Sequence, residues 1–449
     1  MNSALFTSET EFDTDKVAAL PFVRKIVTVK SPAGKDGKRA DKFGRTDELL
    51  FAGTFRPIIP VNGMPLLLSG YNGKGVTVAV LDAGFLNADR VESLKPLMNR
   101  NGVIKTHDYV GNSSNVYAFH GHGTAVLSIL AGSLSDIITG TAQGASYMLF
   151  RTEDGDTEYP VEEDFWIAAA EYADSAGADI ITSSLGYCWF DDPAMNYSFS
   201  NTDGNTAFIT VAADIAASKG ILVVTSAGNE RNKEWLRILF PSDGDSVMCI
   251  GAVKQDLTIS DFSSAGYSAD GRVKPDVVAP GVGIPLQYDY GEWRAGNGTS
   301  FSCPVISGMC ATLMQAVPGA TAEDIRNAVR ESSDRYNNPD SLYGFGLPDF
   351  AKALKILEDT YTFKPEVTVT AGPNPFFDII NIWFRDPPGS LTIDVTDNSG
   401  RTILKIAYEN FIGRSFTVTG LSSAVQGLYL VRVKTDAGER VFKMIKLKQ

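Results

Sequence analysis

Cysteine and histidine are scarce in this chain. Only four of its 449 residues are cysteine and three are histidine. Four cysteines without paired spacing cannot form a disulfide scaffold, and they lack the ligand pattern of a cysteine-rich zinc site. The fold must therefore rest on an apolar core, and any imidazole chemistry must come from His107, His120 or His122.

The positions of the cysteines favour buried thiols. Cys303 and Cys310 fall within an apolar helical pattern, which predicts free thiols packed in a core. Cys188 and Cys249 leave one disulfide bridge open, because the sequence alone neither brings them together nor keeps them apart.

Positive charge and long apolar runs are also lacking. Lysine and arginine number 40 against 53 aspartates and glutamates, a net charge of −13. Binding of nucleic acid needs clustered positive charge, so nucleic acid is not expected as a partner. No apolar run reaches the roughly 18–20 residues of a membrane-spanning helix, so no membrane span is expected. The polar, acidic start MNSALFTSETEFDTDKV is unlike a signal peptide, and indicates either a cytoplasmic protein or a trimmed leader.

Short apolar runs alternate with amphipathic stretches between residues 75 and 357. The runs VTVAVLD, YMLF, DIITSSLG and ILVVTSAGN are typical of parallel strands that are buried on both faces. Helical patterns, FWIAAAEYADSAG and ITVAADIAASKG, precede the third and fourth runs. This order predicts an α/β fold with a mostly parallel sheet flanked by helices, and we assign it to residues 66–360.

Two regions of different composition flank this domain. Residues 1–65 are an appendage in which LPFVRKIVTVK predicts a strand and SPAGKDGKRADKFGR a basic loop. Residues 361–449 contain short alternating strands separated by turn sequences, which predict a small all-β sandwich. This last region has no histidine or cysteine, so we do not expect it to carry chemistry.

Two polar residues stand at the ends of predicted elements in the first half of the α/β domain. Asp82 ends an apolar strand, where the ligand crevices of open α/β sheets lie. His122 in HGHGTAVLSILAG begins an apolar helical stretch that would hold its imidazole in place. His120 and His122 have no acidic or cysteine partner at a recognisable metal-site spacing. Considered without the other residues, Asp82 is explained by a loop-capping role as well as by a functional one.

Two more polar residues follow in the second half. Asn229 comes just after the run ILVVTSAG, where its amide can donate hydrogen bonds. Ser300 lies in GNGTSFSCP, at the start of an apolar helical pattern. A serine there is commonly a helix N-cap. It is also well placed for a nucleophile, because a helix N-terminus favours the negative charge of an oxyanion.

The chain order of these residues distinguishes between two kinds of hydrolase. One known type of catalytic triad has its carboxylate, base and nucleophile in this chain order, and it is the order of Asp82, His122 and Ser300. The α/β-hydrolases use the order Ser, Asp, His and a G-x-S-x-G turn, whereas Ser302 stands where the last glycine of that turn would be.

The motifs VAVLDAGF, HGHGT, SSLG, SAGNE, FSSAGYSADGRVKPDVVAPG and GTSFSCP resemble those of the subtilisin-like serine proteases over about residues 70–355. The resemblance implies that Asp82 orients the base His122, that Ser300 is the nucleophile and that Asn229 completes an oxyanion hole with the Ser300 amide. His120 falls where the family often has asparagine, so we expect it to be non-catalytic.

The resemblance also implies where a peptide binds. Ser184, Leu185 and Gly186 would pair with an extended substrate, and Ala227 and Gly228 would form a wall of the P1 pocket. At that pocket, Glu230 would favour a basic P1 residue, whereas Leu239 would make the pocket shallower. These two indications oppose each other, so the P1 preference stays open.

The chain departs from the family pattern in two places. Ala83 stands where a serine or threonine commonly follows the aspartate, which loosens support of the carboxylate. A long insert contains Asp191, Asp192 and Asp203, which suit calcium in chemistry but not in EF-hand spacing. A solvated acidic loop explains them as well. We expect no required cofactor.

The C-terminal region resembles the sorting domain of the bacterial type IX secretion system, through GPNPFFDIINI, LTIDVTDNSGRTI and GLYLVRVKTDAGERVFKMIKLK. This implies passage through that secretion machinery to the medium or the outer cell surface. A generic binding module is the alternative. The N-terminal region is interpreted as the remnant of a propeptide.

We therefore expect a secreted serine endopeptidase that acts on protein or peptide substrates. Two alternatives stay open. One is an inactive binding or adhesive protein on a protease scaffold, and the other is a serine esterase or ligase that uses the same site.

Overall fold

The computed structural model describes residue 5 and residues 14–20, 23–30, 45–48, 56–134, 138–361, 369–385, 387–436 and 438–447. The chain divides into two compact units. The larger comprises Met1–Gln315 with Ala322–Ala353, and the smaller comprises Ala316–Thr321 with Leu354–Gln449. The domain boundaries at residues 65 and 360 stay predictions.

The helices in chain order are α1 (Thr14–Ala18), α2 (Met64–Leu68), α3 (Lys95–Asn99), α4 (His122–Ala131), α5 (Val161–Ser175), α6 (Phe208–Ser218), α7 (Thr299–Ala316), α8 (Ala322–Ser332) and α9 (Phe350–Tyr361). Short 3₁₀ turns lie at Glu92–Leu94, Pro193–Met195 and Phe199–Asn201. No helix within the described ranges is long and apolar enough to cross a bilayer.

The strands of the larger unit are β1 (Arg45–Glu48), β2 (Thr77–Asp82), β3 (Val103–Asp108), β4 (Ser133–Leu134), β5 (Ile138–Thr139), β6 (Ser146–Arg151), β7 (Ile180–Ser183), β8 (Leu222–Ser226), β9 (Met248–Val253), β10 (Val277–Pro280), β11 (Val282–Gln287) and β12 (Trp293–Asn297). Those of the smaller unit are β13 (Val369–Gly372), β14 (Ile380–Phe384), β15 (Ser390–Asp397), β16 (Thr402–Glu409), β17 (Ser415–Val418), β18 (Gly427–Thr435) and β19 (Gly438–Lys446).

A seven-stranded sheet in the order β10-β9-β8-β7-β2-β6-β3 forms the centre of the larger unit. Every neighbouring pair in it is parallel. Its central strands are buried on both faces, which explains their continuous apolar sequences. The predicted α/β fold is confirmed.

The strand order places a crevice beside β2. The chain adds β6 on one side of β2 and then β7 on the other, so the direction of winding reverses there. In open α/β sheets such a switch point leaves a crevice outside the carboxyl ends of the strands. Asp82 is the last residue of β2, and β7 and β8 end on the same side of the sheet.

The N-terminal region adds one strand to the larger unit. β1 pairs antiparallel with β12, the strand that leads into Ser300. The strand predicted for LPFVRKIVTVK is wrong for residues 23–30, which form no ladder. The Val23 amide donates to the nearby Leu20 carbonyl, and the Val29 carbonyl accepts the amide of Val161 at the start of α5, a helix residue that cannot continue a sheet. The predicted basic loop lies almost entirely outside the described residues.

The smaller unit contains two antiparallel sheets, β13-β14-β17 and β16-β15-β18-β19. Apolar residues of both sheets form one core, which includes Ile382, Val418, Ile393 and Val431. The expected β-rich C-terminal architecture is confirmed.

Candidate active site

Two glycines bring the end of β2 against the start of α4. Gly84 has φ +135°, and a Cβ built on it would lie 2.9 Å from the amide nitrogen of His120. A Cβ on Gly123 would lie 2.5 Å from the Gly84 carbonyl oxygen, to which the Gly123 amide donates at 3.0 Å. This close approach places Asp82 and His122 side by side.

Asp82 and His122 form a buried hydrogen-bonded pair. Nδ1 of His122 lies 2.8 Å from Oδ1 of Asp82, and the two side chains are 1% and 0% exposed. A carboxylate at this position selects the tautomer with hydrogen on Nδ1, which leaves Nε2 as the basic nitrogen. The pair can therefore accept a proton and stabilise the imidazolium that results.

The carboxylate of Asp82 is held from one side. Its Oδ1 also accepts the Ala83 amide at 2.8 Å. Its Oδ2 is buried and has no hydrogen-bond partner among the described residues. Ala83, which stands where the family commonly has a serine or threonine, has no hydroxyl to donate to this oxygen.

Ser300 lies inside the first turn of α7, which begins at Thr299. The side chain is 4% exposed, and its hydroxyl donates to the Ser184 carbonyl at 3.2 Å. The N-cap explanation of this serine is therefore wrong, because the helix has already begun and the hydroxyl does not accept an amide of the helix. The next residue, Phe301, has its ring centroid 5.8 Å from that of His122.

Pro304 creates the contact between Ser300 and the end of β7. In an α-helix the carbonyl of Ser300 would accept the amide of residue 304, but proline has no N–H. The Ser184 hydroxyl donates to this carbonyl instead, at 2.9 Å. Ser184 and Ser300 thus exchange two hydrogen bonds, and the proline fixes the serine to the sheet.

Asn229 is oriented by the residue that precedes Ser300. Its Oδ1 accepts both the amide of Thr299, at 3.0 Å, and the Thr299 hydroxyl, at 3.1 Å. The Thr299 hydroxyl in turn accepts the Gly228 amide at 3.1 Å. With Oδ1 held in this way, the Nδ2 group of Asn229 is turned away from Thr299 and its hydrogens can be donated to a ligand.

The segments predicted to bind substrate lie on either side of Ser300. Ser184, Leu185 and Gly186 follow the end of β7, and Ala227 and Gly228 follow the end of β8. The side chain of Leu185 belongs to the core, so this residue can offer only its backbone to a ligand. The structure thus brings the predicted catalytic and substrate-binding residues to one edge of the sheet; their roles remain predictions.

The sequence analysis missed two contributors to the site. One is the residue Thr299, and the other is the hydroxyl group of Ser184, a residue that was predicted only to bind substrate. Thr299 orients Asn229, and Ser184 replaces the hydrogen bond that Pro304 cannot make. The proline four residues after Ser300 was the available signal for the second, because it predicts an unpaired carbonyl in the first turn of the helix.

The other two histidines have different surroundings. His107 lies on β3, with its ring 4.5 Å from that of Tyr109. Nδ1 of His120 accepts the amide of His122 at 3.1 Å, so His120 supports the backbone at the start of α4. Of the three histidines, the Asp82 carboxylate pairs with His122.

All four cysteines are buried and none forms a disulfide, which confirms the predicted buried thiols at positions 303 and 310 and excludes the bridge between Cys188 and Cys249. Cys303 lies under the ends of β7 and β8, with Sγ 3.7 Å from the Val224 carbonyl oxygen. Burial raises the pKa of the Cys303 thiol to about 12, so it stays protonated at neutral pH and is no rival to Ser300 as a nucleophile.

The charged residues of the motif VKPD have a structural function. Lys274 donates to Asp276 at 3.0 Å, and Arg330 also contacts this carboxylate. Although burial alone would raise the pKa of Asp276, the charges of Arg330 and Lys274 lower it to about 2. The carboxylate also accepts the Cys249 amide at 2.7 Å, which joins it to β9.

Two of the three aspartates of the long insert, Asp192 and Asp203, cap local turns, whereas Asp191 joins the insert to the segment before α5. Asp191 accepts the Glu158 amide, Asp192 accepts the Ala194 amide, and Asp203 accepts the amides of Asn205 and Thr206. The described part of the chain contains no group of three or more histidine, cysteine, aspartate or glutamate side chains arranged to hold a metal ion. Calcium at these aspartates stays a hypothesis.

Comparison with known proteins gives a family for each unit of the sequence. A model of the subtilase family matches residues 73–346, and a model of the secretion system C-terminal sorting domain matches residues 372–447. Subtilisin E of Bacillus subtilis (strain 168) is 30% identical over 331 residues, covering 71% of this chain and 77% of that protein.

More distant relatives agree. The serine protease AprX of the same organism is 28% identical over 304 residues, covering 61% of this chain and 65% of AprX. Among solved structures, MycP1 from Mycobacterium smegmatis superposes with a TM-score of 0.54 at 20% identity, covering 71% of this chain and 89% of that chain, which is a likeness of fold. The chain therefore belongs to the subtilase family, and it carries a C-terminal sorting domain of the type IX secretion system.

Proposed function

We propose that this chain is a serine endopeptidase that cleaves peptide bonds through an acyl-enzyme on Ser300. The observation that carries the proposal is the buried pair of His122 and Asp82, held at the same sheet edge as Ser300. A buried imidazole with one nitrogen bound to a carboxylate can act as a general base, and Ser300 in the first turn of α7 supplies the nucleophile.

The first half of the reaction forms the acyl-enzyme. With substrate bound, the Ser300 hydroxyl exchanges its bond to the Ser184 carbonyl for one to Nε2 of His122. His122 takes the hydroxyl proton as Oγ attacks the scissile carbonyl carbon, and Asp82 stabilises the imidazolium. His122 then gives that proton to the leaving amine as the C–N bond breaks.

Water completes the cycle. It gives a proton to His122, attacks the acyl carbon and releases the carboxylic acid, while His122 returns the proton to Ser300 Oγ. Every step uses only protein side chains and water, so we propose that the reaction requires no cofactor.

The oxyanion of each tetrahedral intermediate is bound by two donors. These are the amide of Ser300, in the first turn of α7, and Nδ2 of Asn229. The Thr299 contacts fix the Asn229 amide before substrate arrives, so little reorganisation accompanies the reaction. The positive end of the α7 dipole acts in the same direction.

Replacing Asn229 by alanine is expected to lower kcat by about 10²–10³, a magnitude known from subtilisin itself, with little change in KM. The donor acts on charge that develops only in the transition state, so its loss affects turnover. Steady-state kinetics on a peptide p-nitroanilide measures this. Asn232→Ala, in the loop that follows Asn229, is the matched control. Full turnover by Asn229→Ala would show that Asn229 is no oxyanion donor.

Cleavage of casein by the folded chain, measured beside hydrolysis of a p-nitrophenyl ester, tests the activity. A protease degrades casein and also cleaves the ester. An esterase cleaves the ester alone, and an inactive binding protein cleaves neither. Casein left intact under conditions where the ester is hydrolysed would overturn the proposed endopeptidase.

The sorting domain supports secretion as the destination. We propose that residues 372–447 direct the chain through the type IX machinery to the medium or the outer cell surface. Deleting these residues is expected to leave the protease in the periplasm of a bacterium that has this system, and fractionation with immunoblotting measures it. If the shortened chain reached the outside in the wild-type amount, the domain would be a binding module and not the export signal.

A further inference from the structure

Leu239 lies between the two glycines that border the crevice next to Ser300. A Cβ built on Gly186 would lie 2.7 Å from Cβ of Leu239, and one built on Gly228 would lie 2.6 Å from its Cγ. No side chain can approach that closely, so the leucine occupies the space left by both missing side chains. The residue is 8% exposed, and the rest of its surface packs against protein.

The backbone holds Leu239 in this position from both sides. Its amide donates to the Ala227 carbonyl at 3.0 Å, which joins it to the extension of β8. The next residue, Phe240, exchanges two hydrogen bonds with Tyr187, each 3.1 Å, which joins it to the extension of β7. Leu239 thus bridges the gap between two neighbouring strand ends.

The same two strand extensions hold Ser300. Gly186 is two residues after Ser184, which exchanges hydrogen bonds with Ser300. Gly228 donates to the hydroxyl of Thr299. The family resemblance assigns Ala227 and Gly228 to the wall of the P1 pocket, so the space between the two glycines is where we expect the side chain next to the attacked carbonyl, the P1 side chain, to enter. The segment Leu239–Phe240 pairs with both extensions, so the side chain of Leu239 lies against both glycines and fills the floor of this space.

We infer that Leu239 closes the P1 pocket and restricts this enzyme to substrates with a small P1 residue such as alanine. The inference rests on the proposed peptidase function and names the substrate class for that site. A large P1 side chain would have to displace Leu239 from between two fixed strand ends, whereas a methyl group fits above it.

The charge at the pocket does not reverse this preference. Glu230, the residue after Asn229, forms an ion pair with Lys233 at 2.9 Å. Its amide donates to the Ser264 hydroxyl, and its carbonyl accepts the Lys233 and Leu236 amides. Lys233 therefore balances the carboxylate that would otherwise attract a basic P1 side chain. Glu230 and Leu239 gave opposing indications of the P1 preference, and we infer that Leu239 determines it.

The test compares tetrapeptide p-nitroanilides that differ only in P1, which is alanine, phenylalanine or lysine. For the wild type, kcat/KM for alanine is expected to exceed that for phenylalanine and for lysine by about 10²-fold, the scale on which a pocket rejects an extra group that does not fit. Leu239→Ala is expected to raise kcat/KM for phenylalanine by about 10–100-fold and so to reduce the ratio.

Ile238→Ala is the matched control. Ile238 is the neighbouring buried residue, and it packs in a separate cluster with Ala227 and Cys249. The change Ile238→Ala creates a cavity in the same segment without opening the space between Gly186 and Gly228. The control should leave the ratio of kcat/KM for the alanine substrate to kcat/KM for the phenylalanine substrate unchanged, even where it lowers thermal stability as much as Leu239→Ala does.

The wild-type profile tests the inference without any variant. Equal or faster cleavage after phenylalanine would overturn it, and so would an unchanged ratio in folded Leu239→Ala. A small fluorophosphonate probe separates this failure from failure of the proposed function. A chain that reacts with the probe but prefers phenylalanine is a peptidase with an open pocket, whereas an unreactive chain overturns the peptidase itself and this inference with it.

Discussion

Replacing Ser300 by alanine is expected to lower kcat for peptide hydrolysis by about 10⁶, a magnitude known from subtilisin, and to leave a residual rate above that in water. The variant lacks the atom that forms the acyl bond, so the remaining rate reflects the oxyanion donors and substrate binding alone. The Ser300 side chain is small and makes one hydrogen bond as a donor, so the fold should tolerate its loss.

The matched control for this change is Ser307→Ala on the same helix. Ser307 is buried, and its hydroxyl has no hydrogen-bond partner among the described residues. It should keep wild-type kcat and KM. Casein or p-nitroanilide hydrolysis with purified variants measures both. A Ser300→Ala protein within tenfold of wild-type activity would require a different nucleophile.

The second large effect is expected for Asp82→Asn, which should lower kcat by about 10⁴. Asparagine is nearly isosteric, but its amide group can donate to Nδ1 of His122 and so favour the tautomer with hydrogen on Nε2. His122 then cannot take the proton of Ser300, although every residue keeps its place.

Measuring kcat for Asp82→Asn and for the control Asp89→Asn distinguishes this effect from that of losing a negative charge in general. Asp89 is partly exposed and follows β2 by a few residues. We expect wild-type rates for Asp89→Asn and an unchanged unfolding temperature for both proteins within a few degrees. A loss smaller than tenfold in folded Asp82→Asn would mean that the carboxylate does not govern the state of His122.

The sheet and the order of the site residues could be predicted because buried parallel strands have an unmistakable composition. VTVAVLD and ILVVTSAGN are apolar on both faces, and polar residues that end such strands meet at one edge. The sequence alone therefore assigns Asp82 and Asn229 to the same edge of the sheet. The apolar run after His122 likewise predicted a helix, and α4 begins at that histidine.

Contacts between segments that are distant in the sequence could not be predicted. Ser184 and Ser300 are 116 residues apart, and only the packing of α7 against β7 shows that each hydroxyl bonds to the other's carbonyl. The position of Leu239 between two glycines has the same origin. Periodicity also misses elements whose buried face is weak. β16 has mostly exposed residues and no clean alternation, and its Ile403, Leu404 and Ile406 pack on the core only partly buried, so its sequence does not predict a strand.

The most direct test of the central claim is the site of reaction with a fluorophosphonate probe, located by mass spectrometry on the full chain. A nucleophile activated by His122 and Asp82 should attack phosphorus, so the adduct is expected on Ser300 alone, and Ser300→Ala should remain unmodified. Folded wild-type protein that forms no adduct, or an adduct on another residue that persists in Ser300→Ala, would contradict the assignment of Ser300 as the nucleophile.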